Sequence, residues 1–168
     1  MLYLKAVSLE DGREFYDMLQ RIGASENGFI NKANGIEYAD FPAWLKRHMD
    51  MAQGIGLEDW MVPASTFWLM DGSIPVGQGN LRHRLTDKLR EAGGHIGYAI
   101  DAAQRGKGYG NALLKLLLEE ARRMGIHEDI LVTVYPSNTA SRRVAEHCGG
   151  ELRNENEERA YYWFPYSA

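Results

Sequence analysis

Residues 104–110 read Gln-Arg-Gly-Lys-Gly-Tyr-Gly, three glycines within five positions. An alternating run, His95-Ile96-Gly97-Tyr98-Ala99-Ile100, precedes this segment, and a strongly amphipathic one, Asn111 to Met124, follows it. In the second run Leu113, Leu114, Leu117, Ala121 and Met124 share one face, while Lys115, Glu119, Glu120, Arg122 and Arg123 share the other. That spacing predicts a helix with one buried side. A strand, a bare loop and a helix in this order put a helix N-terminus, with its unsatisfied N–H groups, at the end of a strand. Glycines leave those N–H groups unobstructed, and the helix dipole with Arg105 and Lys107 suits the place to anionic oxygens. A phosphate or pyrophosphate is the expected guest.

The rest of the chain builds around this unit. Tyr3 to Val7 predicts a strand, and Ser8 with Asp11 predicts the start of a helix bearing Phe15, Met18, Leu19 and Ile22, stopped by Gly23. Ala24 to Tyr38 lacks periodicity and is expected to be loop. Asp40 and Pro42 open a second helix with Trp44, Leu45, His48, Met49 and Ala52 on one side. Thr66–Met70 and Ile74–Leu81 flank Asp71-Gly72 and read as a hairpin. Arg82 to Glu91 stays open between loop and helical turn. Ile130 to Tyr135 is a buried strand ended by Pro136, Asn138 caps a short helix reaching Cys148, and Leu152 and Tyr161–Phe164 supply two last strands. This order predicts an α+β fold: a central mixed, mostly antiparallel sheet with helices on both faces. No repeat or linker divides the chain, so residues 1–168 are expected to form one domain.

Composition narrows the function. The 168 residues are 45% hydrophobic and 25% charged, ordinary globular proportions. Lys plus Arg is 19 against 23 Asp plus Glu, a formal charge of −4, which gives no footprint for nucleic acid. Cys148 is the single cysteine, so no intrachain disulfide forms and a reducing, cytoplasmic location is expected. No apolar stretch approaches the ~20 residues of a membrane span, and Met1–Lys5 lacks the order of a targeting segment, so no membrane partner is expected. His48, His83, His127 and His147 show no ligand spacing with each other or with Cys148, so no metal is expected.

The loop fails two phosphate-binding patterns. A Walker loop requires Gly-Lys-Ser/Thr four residues after a first glycine, and the dinucleotide fingerprint requires a glycine where Leu113 stands. Arg105-Gly106-Lys107-Gly108-Tyr109-Gly110 instead resembles the acyl-CoA loop of the GNAT superfamily of N-acetyltransferases, and the flanking strands, helices and Asn138 extend the resemblance. It implies a GNAT fold with acetyl-CoA between the strand ending at Ile100 and the strand ending at Tyr135. Pyrophosphate would lie on Arg105, Gly106, Lys107, Gly108, Tyr109 and Gly110, and pantetheine on the backbone of Tyr98, Ala99 and Ile100. Asn138 would reach the cofactor arm, with Ser141 on the same helix face, and Arg142 would meet the phosphorylated adenosine end. The acceptor would be a primary amine of a small molecule or peptide, attacking the thioester directly; pairing into a homodimer is compatible with the family.

One departure bears on mechanism. The family's thiolate-protonating tyrosine falls here on Ala145, and the glutamate many members carry falls on Gly94. His95, beside it, is the nominated base, since an unperturbed imidazole titrates near ~6.5. Cys148 reads as a packed residue rather than a nucleophile. Glu26, Glu37, Asp40, Glu58 and Asp59 offer an anionic mouth for a cationic amine, against the plainer reading of solvated surface acids. Two other functions stay open: an idle acyl-CoA-binding domain acting as sensor or interaction module, and a nucleotide-binding oxidoreductase, which Leu113 disfavours.

Overall fold

The computed structural model describes residues 1–26 and 28–167, with the backbone alone at Glu26. The chain runs through β1 (Leu2–Ala6), α1 (Arg13–Ile22), β2 (Ser25–Glu26), β3 (Phe29–Ile30), α2 (Phe41–Ala52), β4 (Ala64–Asp71) and β5 (Ile74–Arg82). It continues through α3 (Asp87–Glu91), β6 (Ile96–Ile100), α4 (Tyr109–Arg123), β7 (Ile130–Val134), α5 (Thr139–His147), β8 (Glu151–Glu155) and β9 (Ala160–Phe164). Among the described residues these form two larger sheets, β1-β4-β5-β6 and β7-β9-β8, besides the two-stranded β2-β3, and the pairs within each are antiparallel.

Period-2 alternation divides the core. Phe67 and Leu69 of β4 join Leu113, Leu114, Leu117 and Ala121 of α4 in one cluster, while Trp68 and Met70 join Phe15, Met18 and Leu19 of α1 and Phe41 and Leu45 of α2 in the other. The first sheet is thus covered on both faces, as the α+β reading requires. Trp68 is fully buried, and its indole N–H donates to Asp11 at 2.7 Å. This need redirects Asp11. It does not cap α1; its carboxylate turns inward to Trp68 and Lys5 and accepts the Ser8 N–H at 2.8 Å, and Gly12 becomes the helix N-cap.

Ala24 to Tyr38 is more than loop. Ser25 pairs with Ile30 and Glu26 with Phe29, a hairpin too short for periodicity to register. Asn31 ties it down, donating to the carbonyls of Leu19 at 2.7 Å and Gly23 at 2.9 Å. Within Arg82 to Glu91, the last five residues form the short helix α3, capped by the Thr86 hydroxyl. Among the described residues no helix is long and apolar enough to cross a membrane.

Beyond their shared core, a pair of hydrogen bonds between His95 and Leu131 links the sheets. The His95 N–H donates to the Leu131 carbonyl at 2.8 Å, and the Leu131 N–H donates to His95 Nδ1 at 2.9 Å. β6 and β7 both start at this junction and run away from it in different sheets, leaving a notch that opens toward Ile100 and Val134. Gly94 permits the approach. Its φ is +62°, and a Cβ there would stand 2.6 Å from the Leu131 carbonyl oxygen. Gly94→Ala is therefore expected to cost about 2–4 kcal/mol, left-handed strain plus overpacking, in urea unfolding. Gly72→Ala, also at positive φ but with open space around it, should cost only about 1–2 kcal/mol.

Candidate active site

The glycine loop is held at both ends. Asp101, fully buried, pairs with Arg21 at 2.8 Å and accepts the Ala103 N–H at 2.9 Å, which fixes the exit from β6. At the far side the Tyr109 hydroxyl donates to Asp71 at 2.6 Å, so Tyr109 offers the loop only its backbone. Between these anchors Gly106 and Gly108 have φ of +79° and +81°, and a Cβ at either would meet nothing within 4 Å. Gly108 is the N-cap of α4 with no side-chain cap, so the first-turn N–H groups lack the partner a Ser or Asp would give. Arg105 and Lys107 are exposed, and Lys107 donates to Gln104 at 2.7 Å. Gly110 lies under Val144 of α5 at 3.5 Å from its would-be Cβ.

One edge of β6 carries no strand in the register of the described residues. The Asp101 N–H bonds the Val76 carbonyl and the Arg82 N–H bonds the His95 carbonyl, so antiparallel alternation turns Gly97 and Ala99 toward β5 as well. The backbone groups of Tyr98 and Ile100 are left facing the notch. Ala99, expected among the contacts, bonds inward and packs its side chain on the α1 cluster. Tyr98 packs on the α4 side, where burial pushes its phenol up to about 12 against a smaller opposing effect of a hydrogen bond with Ser141.

On α5 the expectations divide. Asn138 caps the helix: its Oδ1 accepts the Ser141 N–H at 3.1 Å and its Nδ2 donates to Ser141 Oγ at 2.8 Å, leaving one amide hydrogen uncommitted. Arg142 does not reach outward. It donates to Tyr162 Oη at 3.0 Å, the Pro136 carbonyl at 3.0 Å and both Glu155 oxygens at 2.7 and 3.2 Å, so the guanidinium is spent tying α5 to β8 and β9. Ala145 is fully buried. The Cys148 thiol donates to the Asn111 carbonyl at 3.6 Å, and burial pushes it up, toward the inert thiol form.

His95, the nominated base, is fully buried at the junction. Its Nδ1 accepts from Leu131, so the ring proton sits on Nε2 and is donated to Glu128 at 2.9 Å. Neither nitrogen is left for a substrate amine, and burial lowers its pKa despite Glu128. The structure makes His95 a tie between sheets.

A second polar group, unsuspected as a site, lies on the α2 face of the first sheet. His48 Nδ1 is 2.9 Å from Thr66 Oγ1, Thr66 donates to Asn80 Oδ1 at 3.2 Å, and Gln78 Nε2 donates to the same oxygen at 3.3 Å. Gln78 Oε1 is buried without a partner. His48, Thr66, Asn80 and Arg82 line a cavity of about 60 Å³ closed by Trp60 and Met61. The sequence did carry a signal: Gln78, Asn80 and Arg82 are polar at every second position of an otherwise apolar strand. Glu37, Asp40, Glu58 and Asp59 are exposed and line none of this cavity, and the Glu26 side chain falls outside the described residues.

Burial with the nearby Arg47 and Lys32 charges lowers His48 to about 4 from 6.5. Between pH 6.5 and about 4 the unfolded chain therefore takes up a proton that the folded one refuses, so stability is complete above pH 6.5 and falls with acid. His48 contributes about 3 kcal/mol to that loss at ~1.4 kcal/mol per pH unit, with His95 adding in the same direction. Urea unfolding at stepped pH is expected to show the slope, and His48→Asn to reduce it.

The GNAT acetyltransferase domain model matches residues 2–151. No curated protein sequence matches the chain significantly. Among solved structures, RimL, a ribosomal L7/L12 α-N-protein acetyltransferase in complex with coenzyme A, superposes with a TM-score of 0.71 at 14% identity, over 98% of this chain and 94% of that one. The microcin C7 self-immunity acetyltransferase MccE, bound to acetyl-CoA and AMP, gives 0.69 at 17%, over 98% and 92%. The aminoglycoside acetyltransferase AAC(6′)-Ib with coenzyme A gives 0.65 at 19%, over 98% and 95%. A divided sheet, a bare loop at a helix N-terminus and a family match over most of its length agree: the chain belongs to the GNAT acetyltransferase family.

Proposed function

We propose that this enzyme transfers an acetyl group from acetyl-CoA to a primary amine of a small molecule or peptide by direct attack. One observation carries the reading: the notch between β6 and β7 has an unpaired strand edge along one wall and a side-chain-free loop at its mouth. The fit to the donor is physical. Pyrophosphate oxygens need several N–H donors at close range, which Gly106 and Gly108 leave accessible and which Arg105 and Lys107 reinforce. Pantetheine amides need a strand edge, which Tyr98 and Ile100 present. Ser141 and the remaining Asn138 amide hydrogen stand on the opposite wall, at the start of α5. Arg142 is withdrawn from the adenosine end because its donors are committed.

In the reaction the amine lone pair forms a C–N bond as the C–S bond breaks. The amine gives up a proton and the departing sulfur takes one. Backbone N–H groups on the free edge of β6 stabilise the charge that develops on the carbonyl oxygen. Ala145 supplies no acid, and Tyr98, whose phenol burial raises to about 12, is a weaker acid than a thiol. The Tyr98 and Ser141 hydroxyls therefore stabilise the departing sulfur by hydrogen bonding, and the proton it takes is the one the amine gives up. A thiol pKa near ~8.5 makes the thiolate a tolerable leaving group, so Tyr98→Phe should lower kcat by no more than about tenfold.

Titration calorimetry is expected to show acetyl-CoA binding that Gly108→Val weakens by tenfold or more. At φ +81° the variant carries left-handed backbone strain although its side chain enters open space, so its fold is checked by circular dichroism alongside the titration. Undiminished affinity would remove the loop from the site. Ala145 also favours the second reading, a domain that binds acyl-CoA without turning it over. An amine panel monitored for CoA release separates the two. With direct attack, Cys148→Ser retains most turnover with sequential kinetics, and a covalent acetyl-cysteine would contradict it.

A further inference from the structure

Gln78, Asn80 and Arg82 occupy alternate positions of β5 and project from the same face. They differ in what they lack. Arg82 has five guanidinium donors, and the structure gives it one acceptor, the Gly94 carbonyl at 3.0 Å. No carboxylate among the described residues pairs with it, although it is partly buried and burial lowers its pKa. A cation withdrawn from water is ordinarily paired, since desolvation otherwise goes uncompensated. Arg82 instead lines the cavity.

The neighbouring groups have the opposite deficiency. Thr66 has a single hydroxyl hydrogen and gives it to Asn80, so its oxygen accepts from His48 Nδ1–H. The lone pair of His48 is then on Nε2. Gln78 Oε1 is an unpartnered buried acceptor two residues from Asn80. Asn80 is paired in register with Gly97, one strand in from the free edge of β6.

Resting on the acetyl-transfer reading, we infer that the acceptor is an amine bearing a carboxylate, with its N–H groups directed to Gln78 Oε1 and His48 Nε2 and its carboxylate to Arg82. The cavity has room for the carboxylate end alone, beside the apolar walls of Trp60 and Met61. The surrounding charge fits an anion. Arg82 lines the cavity, Arg47 and Lys32 act on His48, Lys88 stands 5.6 Å over the Trp60 ring, and no Asp or Glu is in the lining. A polyamine would meet the charge of Arg82 in the lining itself.

The test is a ladder of amino carboxylates of increasing spacing, each compared with its own carboxamide, in CoA-release assays. At one spacing the carboxylate should exceed its carboxamide at least tenfold in kcat/KM. Arg82→Gln should abolish that preference through KM while leaving acetyl-CoA affinity unchanged, and Arg82→Lys should keep part of it. Equal turnover of carboxylate and carboxamide throughout, or a preference that survives Arg82→Gln, would overturn the assignment. If no amine is acetylated, the transfer reading fails and wild-type titration with the same pairs decides Arg82. Binding of carboxylates in preference to carboxamides would sustain the anion site, and equal or absent binding would overturn it. That titration also decides the matter if Arg82→Gln does not fold.

Discussion

The imidazole of His95 stands where two sheets would otherwise part completely. A backbone N–H of β7 needs an acceptor, and a buried imidazole nitrogen provides it at 2.9 Å. Each such bond contributes only about 1 kcal/mol net, but leaving a buried N–H unpaired costs about 1–3 kcal/mol, so the junction is fixed more by the penalty of losing it than by its strength. Glu128 holds the ring's other nitrogen, and Gly94 removes the side chain that would push the strands apart. From this point β6 and β7 diverge. An exposed strand edge is ordinarily a liability for aggregation. Here it becomes the wall along which an extended, amide-bearing donor can lie.

The two sides of β6 then acquire different chemistry. Toward α4 and α5 the chain offers N–H groups, hydroxyls and cations, the complement of a phosphorylated thioester. Toward α2 it offers a neutral histidine, amide oxygens and an arginine with no acid. The formal charge of −4 predicts neither, because the acids are spent on surface pairs such as Lys46 with Asp50 and Arg123 with Glu120, or on buried ties such as Asp101 with Arg21. Local pairing, not net charge, decides what each cleft attracts.

The long periodic elements were legible in the sequence. The α4 stripe, the β4–β5 hairpin at Asp71-Gly72 and the glycine loop all signal themselves through spacing or backbone chemistry that neighbours in the chain determine. What was not legible depended on distant partners. Ser8 and Asp11 read as the start of α1; Asp11 does accept the Ser8 N–H, but Trp68, 57 residues away, claims the same carboxylate and the helix starts only at Arg13. Arg142 reads as a contact for the adenosine end until Glu155 and Tyr162 claim it, and His95 reads as a base until Leu131 and Glu128 occupy both nitrogens. The β2–β3 hairpin, two residues per strand, gives period-2 alternation nothing to show. Polar alternation in β5 was visible, but its meaning required knowing that the face it points to is buried.

Amide hydrogen exchange at residue resolution, with and without acetyl-CoA, tests the central claim that the diverging strands form the donor site. The amides of His95 and Leu131 should be protected before ligand is added, because the junction is already bonded. Tyr98, Ile100 and the loop from Arg105 to Gly110 should exchange readily in the free protein and become protected only with acetyl-CoA. Protection that arises elsewhere, or free-edge and loop amides that exchange at the same rate with saturating acetyl-CoA, would contradict it.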